Sequence, residues 1–377
     1  MLNRDGVSWR RKPGVLALGA VTMAMATAAA VVATAPAAQA QTVETFKIAI
    51  QTSNGTLGLL EPDGTVSDVS PAITMDSDDS PAITPLSGPA FGFTLAYRLA
   101  NSHLGTYSTT TGVPVVEEDT VYQGTSPAIS ANPGGGFLQT YFNSNASPAL
   151  LVQRKPFHTG ETNVLIASGT SPASATNASG SLTKTAVVDR GQFLRQSTNG
   201  SLFSSEGVGV KVATNTSPSV AVSASDAAVA VNGANGDLLV TRSSDQSVND
   251  TGLAVKAGTS PSVAALAAGG FLVAYVSPDG MLNIMGPTGT NFPLGQKVAD
   301  FSNPAIAADS HGNWKIAYAA AENHFLSTFD YTPATNANHI FHSSTFLRLG
   351  TSPAIAAVTL PVGTPPTDPD PTAPVPN

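Results

Sequence analysis

Residues 258–287 read "GTSPSVAALAAGGFLVAYVSPDGMLNIMGP". A Ser-Pro start leads into a short apolar run. A Gly-Gly turn, the alternating run Phe271-Leu-Val-Ala-Tyr275, an Asp-Gly turn and a third run beginning at Leu282 follow. Short runs of two-residue period between turn residues predict strands rather than helices. Proline cannot donate to a sheet ladder, so Pro261 suits the first position of an edge strand. Asp279-Gly280 is a strong two-residue hairpin signal.

The phrase recurs along the chain. Prolines following Ser or Asn fall at Pro81, Pro127, Pro172, Pro218, Pro261, Pro304 and Pro353, at intervals of 43 to 49 residues. That period, built of short strands and turns, is the spacing of four-stranded propeller blades. The second strands align as Phe93–Tyr97, Phe137–Tyr141, Phe271–Tyr275 and Trp314–Tyr318, with large side chains at alternate positions and small ones between. Large against small is what neighbouring blades need in order to pack face to face.

The chain ends are complementary. Residues 46–65, "FKIAIQTSNGTLGLLEPDGT", match second and third strands without a first, and 350–358, "GTSPAIAAV", are a first strand with nothing after it. Together they complete one blade. The expectation is an all-β, seven-bladed β-propeller over residues 41–360, closed by pairing of its N- and C-terminal segments. Closure removes free sheet edges. A stray "SPAIT" over 70–74 breaks the spacing and is expected to be the outer strand of the shared blade.

The flanks differ in kind. Arg4, Arg10, Arg11 and Lys12 precede the Ala-rich apolar stretch 15–33, and Ala38-Gln39-Ala40 has the small-x-small pattern of a cleavage site. Residues 1–40 are therefore expected to be a signal peptide of an exported, extracellular protein rather than a retained anchor. Residues 361–377, rich in proline, are expected to form an extended, disordered tail. Without residues 1–40 the chain carries 13 basic and 24 acidic residues, a net charge of −11, with no basic run. This argues against nucleic acid and against anionic membranes as partners. The chain has 0 cysteines, which excludes disulfides, thiol catalysis and Cys-ligated zinc.

The phrase Gly-Thr-Ser-Pro-Ala-Ile-Ala, followed by Gly-Gly-Phe, Ala-Tyr, and Asp-Gly or Asn-Gly with Leu, resembles secreted bacterial tandem repeats of the tachylectin-like or Photorhabdus-lectin-like propeller fold. It stands at Gly258–Leu282 and Gly124–Tyr141, with weaker copies over 43–359. The resemblance implies a propeller that binds sugars around its ring through Trp, Tyr and polar side chains. This sequence departs from that pattern: Trp314 is the single Trp after residue 40, and no Trp, Arg or Glu recurs at one place in each unit.

Catalytic patterns do not complete themselves. The Gly-Thr-Ser-Pro phrase lacks the second glycine of a nucleophile elbow, and its recurrence in nearly every unit suits a structural hydroxyl at a strand start. Sialidase-type chemistry needs clustered arginines, whereas Arg98, Arg154, Arg190, Arg195, Arg242 and Arg348 fall in different strands. Asp76, Asp78 and Asp79, like Glu117, Glu118 and Asp119, read as solvated acidic turns, since the Gly and distal Glu of a calcium loop are missing. His339 and His342 lack a third metal ligand at useful spacing. No catalytic residue, metal or cofactor is expected. Residues 302–349 hold four of the six histidines and the richest aromatic content, so Trp314, His311, His324 and His342 are the candidate ligand-binding residues. Trp314 and Tyr318 also occupy the core register of Phe271 and Tyr275. The expected function is a monomeric, secreted binding module for extracellular glycan, with a surface-protein scaffold as the competing reading and a glycoside hydrolase third.

Overall fold

The computed structural model describes residues 42–361 except 70–72, 87–90, 134–135, 145–149, 156–157, 200–206 and 245–246. The expected signal over 1–40 and, beyond Pro361, the expected tail lie outside the described residues. The chain opens with β1 (Thr42–Gln51), β2 (Leu57–Leu60) and β3 (Val66–Asp68). Six four-strand units follow. The first is β4 (Ala82–Pro85), β5 (Phe93–Arg98), β6 (His103–Ser108) and β7 (Pro114–Thr120). The second is β8 (Ala128–Ala131), β9 (Phe137–Asn143), β10 (Leu150–Lys155) and β11 (His158–Leu165). The third is β12 (Ala173–Thr176), β13 (Thr183–Val188), β14 (Phe193–Thr198) and β15 (Gly207–Lys211). The fourth is β16 (Ser219–Val222), β17 (Ala227–Asn232), β18 (Asp237–Arg242) and β19 (Val248–Ala254). The fifth is β20 (Ser262–Ala265), β21 (Phe271–Val276), β22 (Met281–Met285) and β23 (Asn291–Lys297). The sixth is β24 (Ala305–Ala308), β25 (Trp314–Ala319), β26 (Phe325–Thr332) and β27 (Ala337–Phe346), and β28 (Ala354–Pro361) ends the described chain.

Each unit is an antiparallel four-stranded sheet in chain order, and a further sheet has the order β28-β1-β2-β3. This is an all-β propeller of four-stranded blades. In the shared sheet Thr42 lies opposite Pro361 and Ala49 opposite Ala354, so the two ends of the described chain pair along eight residues each. Among the described residues no helix is long and apolar enough to cross a membrane.

Alternation along each second strand supplies two cores at once. Phe271, Val273 and Tyr275 pack toward Ala228, Ala230 and Val240 of the preceding sheet. Leu272, Ala274 and Val276 pack toward Ile316, Tyr318 and Phe329 of the following one. The shared sheet does the same: Ile48 and Ile50 meet Ala317, Ala319 and Leu326, while Ala49 and Leu57 meet Leu95 and Tyr97. Each fully buried side chain of this size contributes about 1.5–3 kcal/mol.

The first strands are neighbours in one cycle: β4, β8, β12, β16, β20, β24, β28 and back to β4. The recurrent serine stitches that cycle. The backbone N–H of Ser80 donates to Ser126 Oγ, Ser126 to Ser171, Ser171 to Ser217 and Ser217 to Ser260, each at 2.8 Å. Ser260 donates to Asn303 Oδ1 at 2.7 Å, and Asn303 donates to Ser352 Oγ at 2.9 Å. Ser352 donates to Ser80 Oγ at 2.9 Å, which returns to the start. The proline after each of these residues has no N–H to pair, so the N–H before it is the group left to satisfy. The preceding Thr closes its own turn: Thr125, Thr170, Thr216, Thr259 and Thr351 each donate to the carbonyl three residues back at 2.7–2.9 Å. These hydroxyls are structural, as their repetition implies.

Two expectations need correction. The outer strand of the shared sheet is β3, paired to β2 through the Asp63-Gly64 turn, and not the "SPAIT" segment. Of that segment, Thr74 bridges Thr56, and the adjoining Met75 bridges Leu99. Asp79 is not in a solvated turn: it occupies the Thr place of the repeated phrase, is fully buried, and meets Arg98 Nη1 at 2.9 Å. Glu117, Glu118 and Asp119 lie on the outer strand β7.

Candidate functional site on one rim

In every sheet the hairpin between second and third strands lies at the same end as the start of the first strand. Strand order alone dictates this, and that end is termed the upper rim. The repeated turn into each first strand places one residue in left-handed backbone: Gly124 (φ 72°), Gly169 (72°), Asn215 (58°), Gly258 (75°) and Gly350 (81°). In the sixth unit this place is taken by Phe301, at φ 62°. A side chain there costs roughly 1–2 kcal/mol. The ring gains no burial in return, being 78% exposed.

The hairpins between second and third strands likewise hold one residue in left-handed backbone. Gly55, Gly236 and Gly280 hold φ of 82–87° at that place, and Ser102, Gln192 and His324 stand there with φ of 72°, 65° and 56°. His324 accepts the N–H of Leu347 on its carbonyl at 3.0 Å, which joins the hairpin to the turn leading into β28. Lys256 pairs with Asp300 and, together with the nearby His324, holds that carboxyl below its ordinary pKa. Among these left-handed positions Phe301 carries the large apolar side chain, which points to a surface retained for something other than stability.

A cavity of about 630 Å³ opens beside these turns, lined by Ser53, Asp78, Asn323, His324, Phe346, Arg348 and Leu349 among others. Phe346 is 49% and Leu349 68% exposed. Apolar walls with a few polar groups are the composition of a small-ligand site. Underneath, Arg98 bridges Asp76 at 2.8 Å and Asp79 at 2.9 Å and donates to Val121 O at 2.9 Å. Burial pushes the Asp79 carboxyl up to about 7 against the pull of Arg98.

The four residues singled out by sequence do not converge. His324 is on the upper rim. His311 is in the opposite hairpin, 3.4 Å from Glu44. His342 is on the outer strand β27, with Nδ1 2.8 Å from Ser327 Oγ. Trp314 packs against the core between the fifth and sixth sheets and stacks on Phe329 and Tyr331, with ring centroids 5.7 and 5.2 Å away. It serves the blade core, as its register implied.

Near His311, donor atoms of Glu44, Asp309 and His311 lie within 4.8 Å of one another. Their carboxylates are already engaged. Glu44 accepts from the backbone N–H and the hydroxyl of Ser310, and Asp309 accepts from the N–H groups of His311 and Asn313. This is a clasp between β1 and the sixth sheet. A lower-rim cleft of about 330 Å³ likewise has its lysines engaged, Lys47 with Glu61 and Lys315 with Asp330, both at 3.0 Å.

No protein-family model matches this sequence, and no curated protein matches it. Among solved structures, AofleA from Arthrobotrys oligospora is 10% identical with a TM-score of 0.50, covering 73% of this chain and 89% of its own. A puromycin hydrolase is 13% identical with a TM-score of 0.48, covering 80% of this chain and 52% of its own. The fucose-specific lectin from Aleuria aurantia is 8% identical with a TM-score of 0.47, covering 76% of this chain and 97% of its own. At 10% identity the likeness to AofleA is one of fold alone.

Proposed function

We propose that the chain is an exported, seven-bladed carbohydrate-binding propeller, closed by its own termini, that holds its ligand without covalent chemistry at the upper-rim cavity. The observation that carries this reading is the exposed Phe346 ring in the cavity wall, on the rim that also exposes Phe301 in backbone that four sister turns give to glycine. An aromatic face beside His324, Asn323 and Ser53 suits a sugar ring, which presents an apolar face and a polar edge. The cycle of serine hydrogen bonds and the β28–β1 register support the closed seven-sheet ring. The engagement of the repeated Ser and Thr oxygens with backbone groups supports a binder over a hydrolase, since an activated hydroxyl needs an adjacent base.

A glycan array on the purified chain tests the reading. Selective binding that Phe346→Ala abolishes, with folding intact, is the expected result. Silence on the array, with retention of a protein from extracellular extract, favours docking of a partner on Phe301, Phe346 and Leu349 instead. Turnover of a glycoside lost on a single carboxylate change overturns the non-catalytic reading.

A further inference from the structure

Arg348 is the informative residue in the cavity wall. Its backbone is fixed on both sides: the N–H donates to Gln51 O at 3.0 Å, and the carbonyl accepts from Thr351 Oγ1 at 2.8 Å. The guanidinium lies over the turn at Gly55, where a Cβ would stand 2.9 Å from Nη1. The side chain is half-buried, yet it makes no ion pair or side-chain hydrogen bond among the described residues. By contrast, Arg98 and Arg195 hold carboxylates at 2.6–2.9 Å, and Lys47, Lys256 and Lys315 are paired. In a chain of net charge −8, a positioned and unpaired guanidinium stands out. Its place is taken by Tyr122, Ala167, Ala213 and Ala299 in sister turns and by Lys256, which is paired with Asp300, in the fifth unit, so the repeat does not require an arginine.

The other charged groups on the cavity are Asp78 and, when protonated, His324. Asp78 is exposed and also has no partner among the described residues. A planar guanidinium recognises a carboxylate through two parallel hydrogen bonds, and a free carboxylate accepts from hydroxyls. One ligand class offers both groups on a single ring.

We propose that the cavity takes an acidic saccharide, a uronic-acid residue whose carboxylate is held by Arg348 while its hydroxyls donate to Asp78. This rests on the carbohydrate-binding reading and specifies its ligand. Calorimetric titration with oligogalacturonate, oligomannuronate and hyaluronan oligosaccharides, each beside its methyl ester, tests it. The acid form is expected to bind at least about 10-fold more tightly than its ester. Arg348→Gln is expected to erase that preference while leaving the melting curve unchanged, and Arg348→Lys to keep part of it. Equal binding of acid and ester overturns the acidic class, and acid preference surviving Arg348→Gln overturns Arg348 as the holder of the carboxylate; either result leaves sugar binding standing. Absence of binding by these oligosaccharides and by a neutral glycan array removes the carbohydrate reading and this proposal with it.

Discussion

At the scale of single residues, the informative signal is the loss of a glycine. Phe301 breaks a turn that repeats down the chain, and it was legible in the sequence as a departure from the Gly-Thr-Ser-Pro phrase. Aromatic content instead singles out Trp314, because composition cannot tell a ring facing a neighbouring blade from one facing water. Phe301→Gly should stabilise the fold by roughly 1 kcal/mol in chemical denaturation, since the backbone strain is relieved. Asp79 was not legible at all: its burial follows from Arg98, 19 residues away, folding over it. Its carboxyl titrates near 7 in the folded chain, above the ordinary 3.8. The folded state therefore keeps a proton that the unfolded chain has released. The stability tied to it is full below about pH 4 and is lost as pH rises through about 7. Denaturant midpoints should fall between pH 5 and pH 8, and Asp79→Asn should flatten that slope. An unchanged slope in the variant would assign the pH dependence to other groups.

At the scale of elements, second strands were readable because both of their faces are buried with strict alternation, as in β21 and β25. Outer strands were not. The burial of β19 and β23 runs exposed at most positions, so little apolar alternation marks their limits. For β23, Asn291–Lys297, the alternation therefore marks neither end. The candidate site was half legible for a similar reason. His324 could be named from sequence, but the hairpin at Gly55 and the turn at Arg348 are almost 300 residues apart and meet only through the shared sheet. Trp314→Ala belongs to this scale. Loss of its stacking on Phe329 and Tyr331 should cost about 3 kcal/mol in urea denaturation and leave ligand affinity unchanged. Lost affinity with unchanged stability would move the site to that blade.

At the scale of the whole molecule, the four-stranded sheets hold together without disulfides, because neighbouring first strands are tied by a serine or, in one place, by Asn303. Repetition supplies the scaffold, and the places where repetition fails supply the surface: His324 and Arg348 line the upper-rim cavity, and Phe301 stands exposed on the same rim. The natural absence of cysteine makes the join directly measurable. Ala49 and Ala354 stand opposite each other in β1 and β28. With both replaced by cysteine, the account predicts a single intramolecular disulfide under mild oxidation of the folded monomer, formed without loss of structure. Free thiols that persist in the folded state, or disulfides only between molecules, would contradict a ring closed by its own two ends.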